Sequence, residues 1–229
     1  MLTAWGAPIP IATLTTIMPT DPKLLTLAQW LSPAFPTGAF AFSHGLETAI
    51  HEGWVRDAQT LQDWLRDCLT DGAARSDAIW LRLAYAAEDP NVVDQRARTF
   101  SQSRERLREA ERQGAAFVTT ANAVFDFKIP ALLLPVAVGR AAKLAEVDLD
   151  DAVALYLQGF VTNLVSAAQR LSPIGQTAGQ RVIAALQPTC LQVTAEIQGA
   201  DETAIHGNTF LSDIAAMRHE TLEPRLFQS

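Results

Sequence analysis

Cysteine is nearly missing from this 229-residue chain: Cys68 and Cys190 stand far apart, with no CxxC pair or His/Cys cluster around either. A disulfide framework and a zinc site of the usual spacing are thereby excluded, and a reducing cytoplasm is the expected compartment. Lysine is almost as scarce, with three against fifteen arginines, and the formal net charge is −7. Nothing draws such a chain to a phosphate backbone, so nucleic acid is not expected as a partner. Catalytic signatures are also lacking. The nearest approach to a phosphate-binding GxxxxGK[ST] loop, Gly175 to Gly179 in GQTAGQR, has the wrong spacing and no lysine. Ser43 lies in AFSHG, where Ala41 replaces the first glycine of a nucleophile elbow and no strand pattern precedes it. No catalytic residue is assigned, and the chain is expected not to be an enzyme.

The first 20 residues are apolar but lack a basic start and carry Pro8, Pro10 and Pro19, which would break a signal-peptide helix. Residues 1–22 are expected to form a flexible arm, with Met18 as an alternative start, and residues 23–229 a single all-helical domain.

What is present is helical periodicity. Leu24, Leu27, Ala28 and Leu31 form a one-sided stripe that stops at Ser32-Pro33, because a residue before proline is pushed out of the α region. Ser43 can cap a helix running to about Glu52, closed by Gly53. Thr60 with Asp63 resembles a capping box ahead of Leu61, Trp64, Leu65, Cys68 and Leu69. Ser76 opens another segment, which halts at Asp89-Pro90 before a restart near Asn91. In RERLREAER, residues 104–112, Arg104, Arg108 and Arg112 recur every fourth residue, with Glu105–Arg108 and Glu109–Arg112 as pairs three apart. This predicts a solvated, salt-bridged face, the alternative being a basic stripe for an acidic partner.

Residues 148–171 give the clearest helix. Leu149, Val153, Leu157, Phe160, Leu164, Ala168 and Leu171 follow Asp148 as cap, over a length of about 35 Å, while Asp150, Asp151, Gln158, Asn163, Gln169 and Arg170 rule out a membrane span. Further helices are predicted near 174–186 and 189–199, meeting at Pro188, and over 209–219. The expected fold is all-α, a compact irregular bundle of roughly ten helices, with no membrane association.

His44, Glu47 and His51 would share a helix face and could hold a metal, which gives the alternative reading of a helical metal-dependent enzyme. Solvent-facing side chains are the competing reading. His206, in a Gly-containing loop, and His219, in a charged tail, read as surface residues. Trp30, Trp54, Trp64 and Trp80 read as packing anchors.

Three stretches are more distinctive. In SPAFPTGAFAFSHGLE, residues 32–47, Pro33 and Pro36 stiffen the chain, Gly38 permits a turn, and Phe35, Phe40 and Phe42 supply apolar anchors before Ser43. In RLSPIGQTAGQR, residues 170–181, Pro173 and Gly175 end one helix and start another, leaving Gln176 and Gln180 one turn apart, suited to capping or to partner contact. The third is SDIAAMRHETLEPRLFQS. Together these resemble the UreF family of urease accessory proteins, whose patterns read P-x-G-G-F-S-Y-S-Q-G-L-E, R-L-x-P-x-G-Q-x-x-G-Q, and R-H-E followed by R-L-F. Ala39, Phe42 and His44 depart from the first pattern, and Gln228 stands where a basic residue is common. The resemblance extends over nearly all of 24–229.

The resemblance implies a non-catalytic adaptor that binds a UreD-type (also called UreH) accessory protein and a nickel-carrying UreG-type GTPase and acts with them on apo-urease. Nickel would then be handled by the complex and GTP bound by the partner, with no cofactor on this chain; a homodimer is compatible with this. A third reading has an arginine of this chain complete the partner's GTPase site. Partner contact is assigned to Gln176, Gln180, Arg181, Arg218, His219, Glu220, Arg225, Leu226 and Phe227. A structural role is assigned to Pro36, Gly38, Phe40, Ser43, Gly45, Glu47, Pro173, Gly175 and Gly179. The tail from Arg218 to Ser229 is expected to be mobile alone and to dock through Leu226 and Phe227, because Pro224 stops the preceding helix from continuing.

Overall fold

A computed structural model of the chain describes residues 21–205 and 209–229. Most of the expected arm, Met18 within it, and His206 lie outside the described residues. Among the described residues there is no strand: ten α-helices and two 3-10 turns account for the regular structure. The helices are α1 (Pro22–Trp30), α2 (Leu46–His51), α3 (Ala58–Thr70), α4 (Ala73–Ala86), α5 (Pro90–Thr99), α6 (Arg104–Phe125), α7 (Leu134–Leu144), α8 (Leu149–Leu171), α9 (Gln176–Glu196) and α10 (Phe210–His219).

Short polar side chains start many of them. Asp21 caps α1, Ser103 caps α6 by accepting the Arg106 N–H, and Asp148 takes the N–H groups of Asp150 and Asp151 at 2.9 and 3.0 Å at the head of α8. Asp89 caps α5, and Pro90 occupies a first-turn position where its missing N–H costs nothing.

Several boundaries differ from the sequence expectation. The capping box on α3 is formed by Asp57 and Thr60, not by Thr60 and Asp63: Asp57 accepts from the Thr60 N–H at 2.8 Å, and the Thr60 hydroxyl takes the Asp57 N–H at 3.1 Å. Helix α4 begins at Ala73, three residues before Ser76, whose hydroxyl turns back to the Gly72 carbonyl. Pro188 does not divide two helices; α9 runs through it. Pro188 and Ala184, whose carbonyl loses its helical partner, are both exposed, so water can take that hydrogen bond. Helix α7 is not among the expected helices: Val136, Ala137, Val138, Gly139, Ala141 and Ala142 are all buried, and only Arg140 and Lys143 give it a polar side.

One hydrophobic cluster runs from Leu27 in α1 to Phe227 near the end of the chain. Helix α8 packs against α9, α4 and α2, while α7 fits between α4 and α6. Trp30, Trp64 and Trp80 are buried and Trp54 is half-buried, as anchors should be, and Trp30 meets Phe117 and Phe125 edge-on. Phe35 and Phe42 are buried as expected. Phe40 is not: it lies on the 3-10 turn Ala39–Ala41 and is 72% exposed. Among the described residues no helix is long and apolar enough to cross a membrane.

Candidate functional site

The first and third distinctive stretches meet in one buried polar junction, and the second reaches it through Arg170. It starts from an unusual backbone path. His44 and Gly45 both have positive φ, +60° and +77°, which turns the chain sharply into α2. At Gly45 a Cβ would lie 2.7 Å from the Ala216 nitrogen, so only glycine lets α2 come this close to α10. Gly45 is the formal cap residue of α2, yet Ser43 still does part of that work: its Oγ accepts the Glu47 N–H at 3.3 Å.

After His219 the chain turns back instead of leaving the surface. Glu47, buried in α2, accepts the Leu226 N–H at 2.6 Å on one oxygen and the Phe227 N–H at 2.9 Å on the other. The same Glu47 oxygen lies 3.1 Å from Nε2 of His219, whose Nδ1 lies 2.7 Å from Glu105. Arg225 closes the ring by donating to Glu105 at 2.5 Å and to the His219 carbonyl at 3.3 Å. Farther along, Gln228 donates to the Ala41 carbonyl, and Ser43 donates through both N–H and hydroxyl to the Ser229 main-chain oxygen. The Ser229 hydroxyl donates to Glu109 at 2.6 Å.

A second set of charges adjoins the first. Arg106 donates to Glu109 at 2.6 Å and lies 3.9 Å from Asp77, which accepts the Tyr156 hydroxyl at 3.0 Å. His44 Nδ1 is 3.6 Å from Glu109, and its ring meets Phe160 edge-on. Burial, helped by the Arg106 charge, pulls the His44 pKa down to about 4, so this ring is neutral at pH 7. Burial also lifts Asp77 to about 6, against the pull of Arg106. Glu109 moves the other way. Burial opposes its ionisation, but the Arg106 guanidinium, His44 and the Ser229 hydroxyl outweigh it and hold the carboxylate well below its usual range. Glu47 is likewise lowered: burial is outweighed by the Leu226, His219 and Phe227 hydrogen bonds.

This geometry corrects several expectations. His44, Glu47 and His51 do not form a shared metal-binding face: His44 precedes the helix and faces Glu109, Glu47 is bound to the tail, and His51 is exposed at the other end of α2. Nor are His44 and Glu47 solvated; both are buried, as is His219, which is 0% exposed. Among the described residues no group of three or more His, Cys, Asp or Glu could hold a metal ion. The tail is not free. Phe227 is 3% exposed, packs in the core and has the Arg170 guanidinium 4.3 Å above its ring, while Arg170 also donates to the Phe40 carbonyl at 2.6 Å. The helix ends at His219, five residues before Pro224, so Pro224 is not what stops it, and the residues beyond Pro224 find their own domain because buried Glu47 offers two acceptors to their backbone. Leu226 remains 59% exposed, and Arg218, Glu220 and Arg225 remain wholly or partly exposed. The predicted pairs Glu105–Arg108 and Glu109–Arg112 do not form either. Arg104, Arg108 and Arg112 do face solvent, but both glutamates turn inward.

In the second stretch no side chain caps α9, so the capping reading of its glutamines is not met. Pro173 and Gly175 separate α8 from α9, Gly179 packs where a Cβ would meet Gln169 and Val165, and Gln176, Gln180 and Arg181 are exposed on the first turns of α9. Pro36 is exposed, and Gly38 opens the 3-10 turn with φ +74°.

Sequence reasoning missed Glu105, Arg106, Glu109, Asp77 and Tyr156. A signal for three of them existed: the buried row Ala121, Phe117, Gly114, Gln113 on α6, carried back in steps of three and four, reaches Glu109, Arg106 and Glu105. The arginine pattern on the opposite face obscured it.

Comparison with known proteins finds the family that the three stretches resemble. The UreF family model matches residues 55–187. A protein of Cereibacter sphaeroides named urease accessory protein UreF is 50% identical over 206 residues, covering 90% of this chain and 98% of its own. Proteins of the same name from Roseobacter denitrificans and a Ruegeria species are 46% and 50% identical over 215 and 214 residues, covering 93% and 92% of this chain and 96% and 100% of their own.

Proposed function

Because the chain belongs to the UreF family, we propose that it is a non-catalytic adaptor in urease maturation, joining a UreD-type accessory protein and a UreG-type GTPase to apo-urease while nickel is inserted. The observation that carries this reading is near-full-length similarity to proteins named urease accessory protein UreF. Two structural features support it. The residues of the alternative metal-enzyme reading are engaged separately, His44 with Glu109 and Glu47 with the tail. Gln176, Gln180 and Arg181 form an exposed polar row on the first turns of α9, where their side chains are open to a partner. Nickel is cargo in this reading, and GTP belongs to the partner.

Deleting the gene should leave urease polypeptide present but inactive and poor in nickel. Normal nickel loading in the deletion strain would reject the role. Replacing Gln176 and Gln180 together by Ala should weaken assembly with the UreD- or UreG-type partner and leave the melting temperature nearly unchanged, since both side chains face solvent.

A further inference from the structure

A groove of about 510 Å³ runs beside α8, between that helix, α6 and the loop that follows α1. Its lining on α8 reaches from Tyr156 to Arg170, roughly 21 Å at about 1.5 Å per residue. That length suits a stretch of polypeptide better than a compact small molecule. Phe35, Phe117, Val138 and Leu164 wall the groove with apolar surface. Gly159 keeps the α8 side open: a Cβ there would meet nothing nearer than the Leu31 carbonyl at 3.8 Å, so packing does not require this glycine. The loop wall is already shaped. Pro33 and Pro36 restrict it, and the Ser32 carbonyl holds the Phe35 N–H at 2.9 Å, which leaves little ordering for binding to do.

Two exposed side chains meet at one end of the groove. Phe40 is 72% exposed, although nearby Phe42 is buried, and its carbonyl accepts from Arg170 at 2.6 Å. Arg170 lies over the Phe227 ring and has no carboxylate partner among the described residues. Its remaining guanidinium N–H groups can grip a carboxylate through two parallel bonds. The Gln228 N–H, bound to the Ala41 carbonyl, keeps the tail beside the same rim, and Leu226 of that tail is 59% exposed. Aromatic residues and arginine are the types enriched in protein interfaces.

Charge fixes the chemistry of the occupant and its direction. Toward the other end, near Tyr156 and His44, Asp77 and Glu109 flank the single guanidinium of Arg106. Two carboxylates against one arginine leave that end negative, so an entering carboxylate is directed to Arg170. Resting on the adaptor reading above, we infer that this groove receives a segment of a protein partner that presents a bulky apolar side chain followed by an aspartate or glutamate. The apolar group lies between Phe40 and the groove wall, and the carboxylate lies on Arg170.

The test uses the full chain with the UreD-type and UreG-type proteins and, separately, the blocked peptide acetyl-Gly-Leu-Phe-Asp-Gly-amide beside its counterpart with Asn in place of Asp. By ligand-observed NMR the acidic peptide should bind saturably and about fivefold or more tighter than the neutral one, a preference that about 0.5 M salt should remove. Phe40→Ala, Arg170→Gln and Ser166→Trp, the last filling the groove from an exposed position of its lining, should each weaken partner assembly about tenfold or more and abolish saturable peptide binding. Helicity and melting temperature should hold. Should Arg170→Gln not fold, because Arg170 also holds Phe40 and Phe227, the other two variants carry the test from exposed positions. Equal binding of the two peptides, or assembly unchanged in every folded variant, would overturn the inference and leave the adaptor reading standing. A wild type that binds the acidic peptide but neither accessory protein would retain the site and remove the adaptor reading. Tighter peptide binding after deletion of residues 1–20 would make that segment the occupant, and a dimer dissolved by Ser166→Trp would make it a second copy; either result overturns the inference.

Discussion

Replacing Glu47 by glutamine tests the polar junction with almost no change in shape. In the wild type one carboxylate oxygen accepts the Leu226 N–H at 2.6 Å, and the other accepts the Phe227 N–H at 2.9 Å and lies 3.1 Å from His219 Nε2. An amide can keep the first bond through its carbonyl oxygen. Its NH2 group can donate to His219 Nε2 if that ring carries its proton on Nδ1, toward Glu105. The Phe227 N–H then faces another donor, and flipping the amide moves the conflict to Leu226. One unsatisfied buried N–H costs about 1–3 kcal/mol, and replacing charge-assisted bonds by neutral ones costs roughly another 1 kcal/mol, so Glu47→Gln should destabilise the tail by about 2–4 kcal/mol. The tail should open before the helices do, because a chain end can separate without breaking the helices it packs against. Amide hydrogen exchange should show lost protection at Leu226 and Phe227, with α8 still protected, and urea unfolding should show a smaller global loss. Unchanged exchange at those two amides, with a stability change under about 0.5 kcal/mol, would refute the argument that Glu47 holds the tail.

Gly45→Ala should lower stability by about 2–4 kcal/mol, since a Cβ would lie 2.7 Å from the Ala216 backbone at a residue with φ +77°. Because that clash is with backbone, Ala216→Gly should not rescue the melting temperature. Phe227→Ala should cost about 2–4 kcal/mol and expose the last residues to proteolysis, a lower range than for a central core phenylalanine because a chain end can relax. For pH, the unfolded chain binds a proton at His44 near pH 6.5 and the folded chain only near 4, so this group makes stability rise with pH across that window. Asp77, raised from 3.8 to about 6, acts in the opposite sense over its own range: the folded chain holds that proton longer, and stability falls as pH rises. His44→Gln should therefore remove a rise of up to about 3 kcal/mol between pH 4 and 6.5, read as a flatter stability profile in urea titrations. An unchanged profile would show that His44 is not held neutral.

What the sequence determined by itself is mostly local. Asp148 ahead of a seven-member apolar row marked α8, Asp89-Pro90 marked the start of α5, and Pro173 with Gly175 marked the break before α9, because caps and breakers act within one helical turn. The three motif stretches were also legible, and with them the family. Tertiary structure decided what those residues do. Ser43 and Ser229 are 186 positions apart, Glu47 and His219 are 172 apart, and Glu105 and His219 are 114 apart. No periodicity encodes such pairings. His44, Glu47 and His51 shared a predicted helix face until the positive-φ turn at His44 and Gly45 separated the first from the others. Glu105 and Glu109 matched arginines three residues away on paper, yet both are buried, Glu109 beside Arg106 and Glu105 beside His219. A carboxylate left in water gains little from a surface arginine, whereas one carried into the core must be met by charge and hydrogen bonds there, and only the packing of distant helices determines which partners meet it.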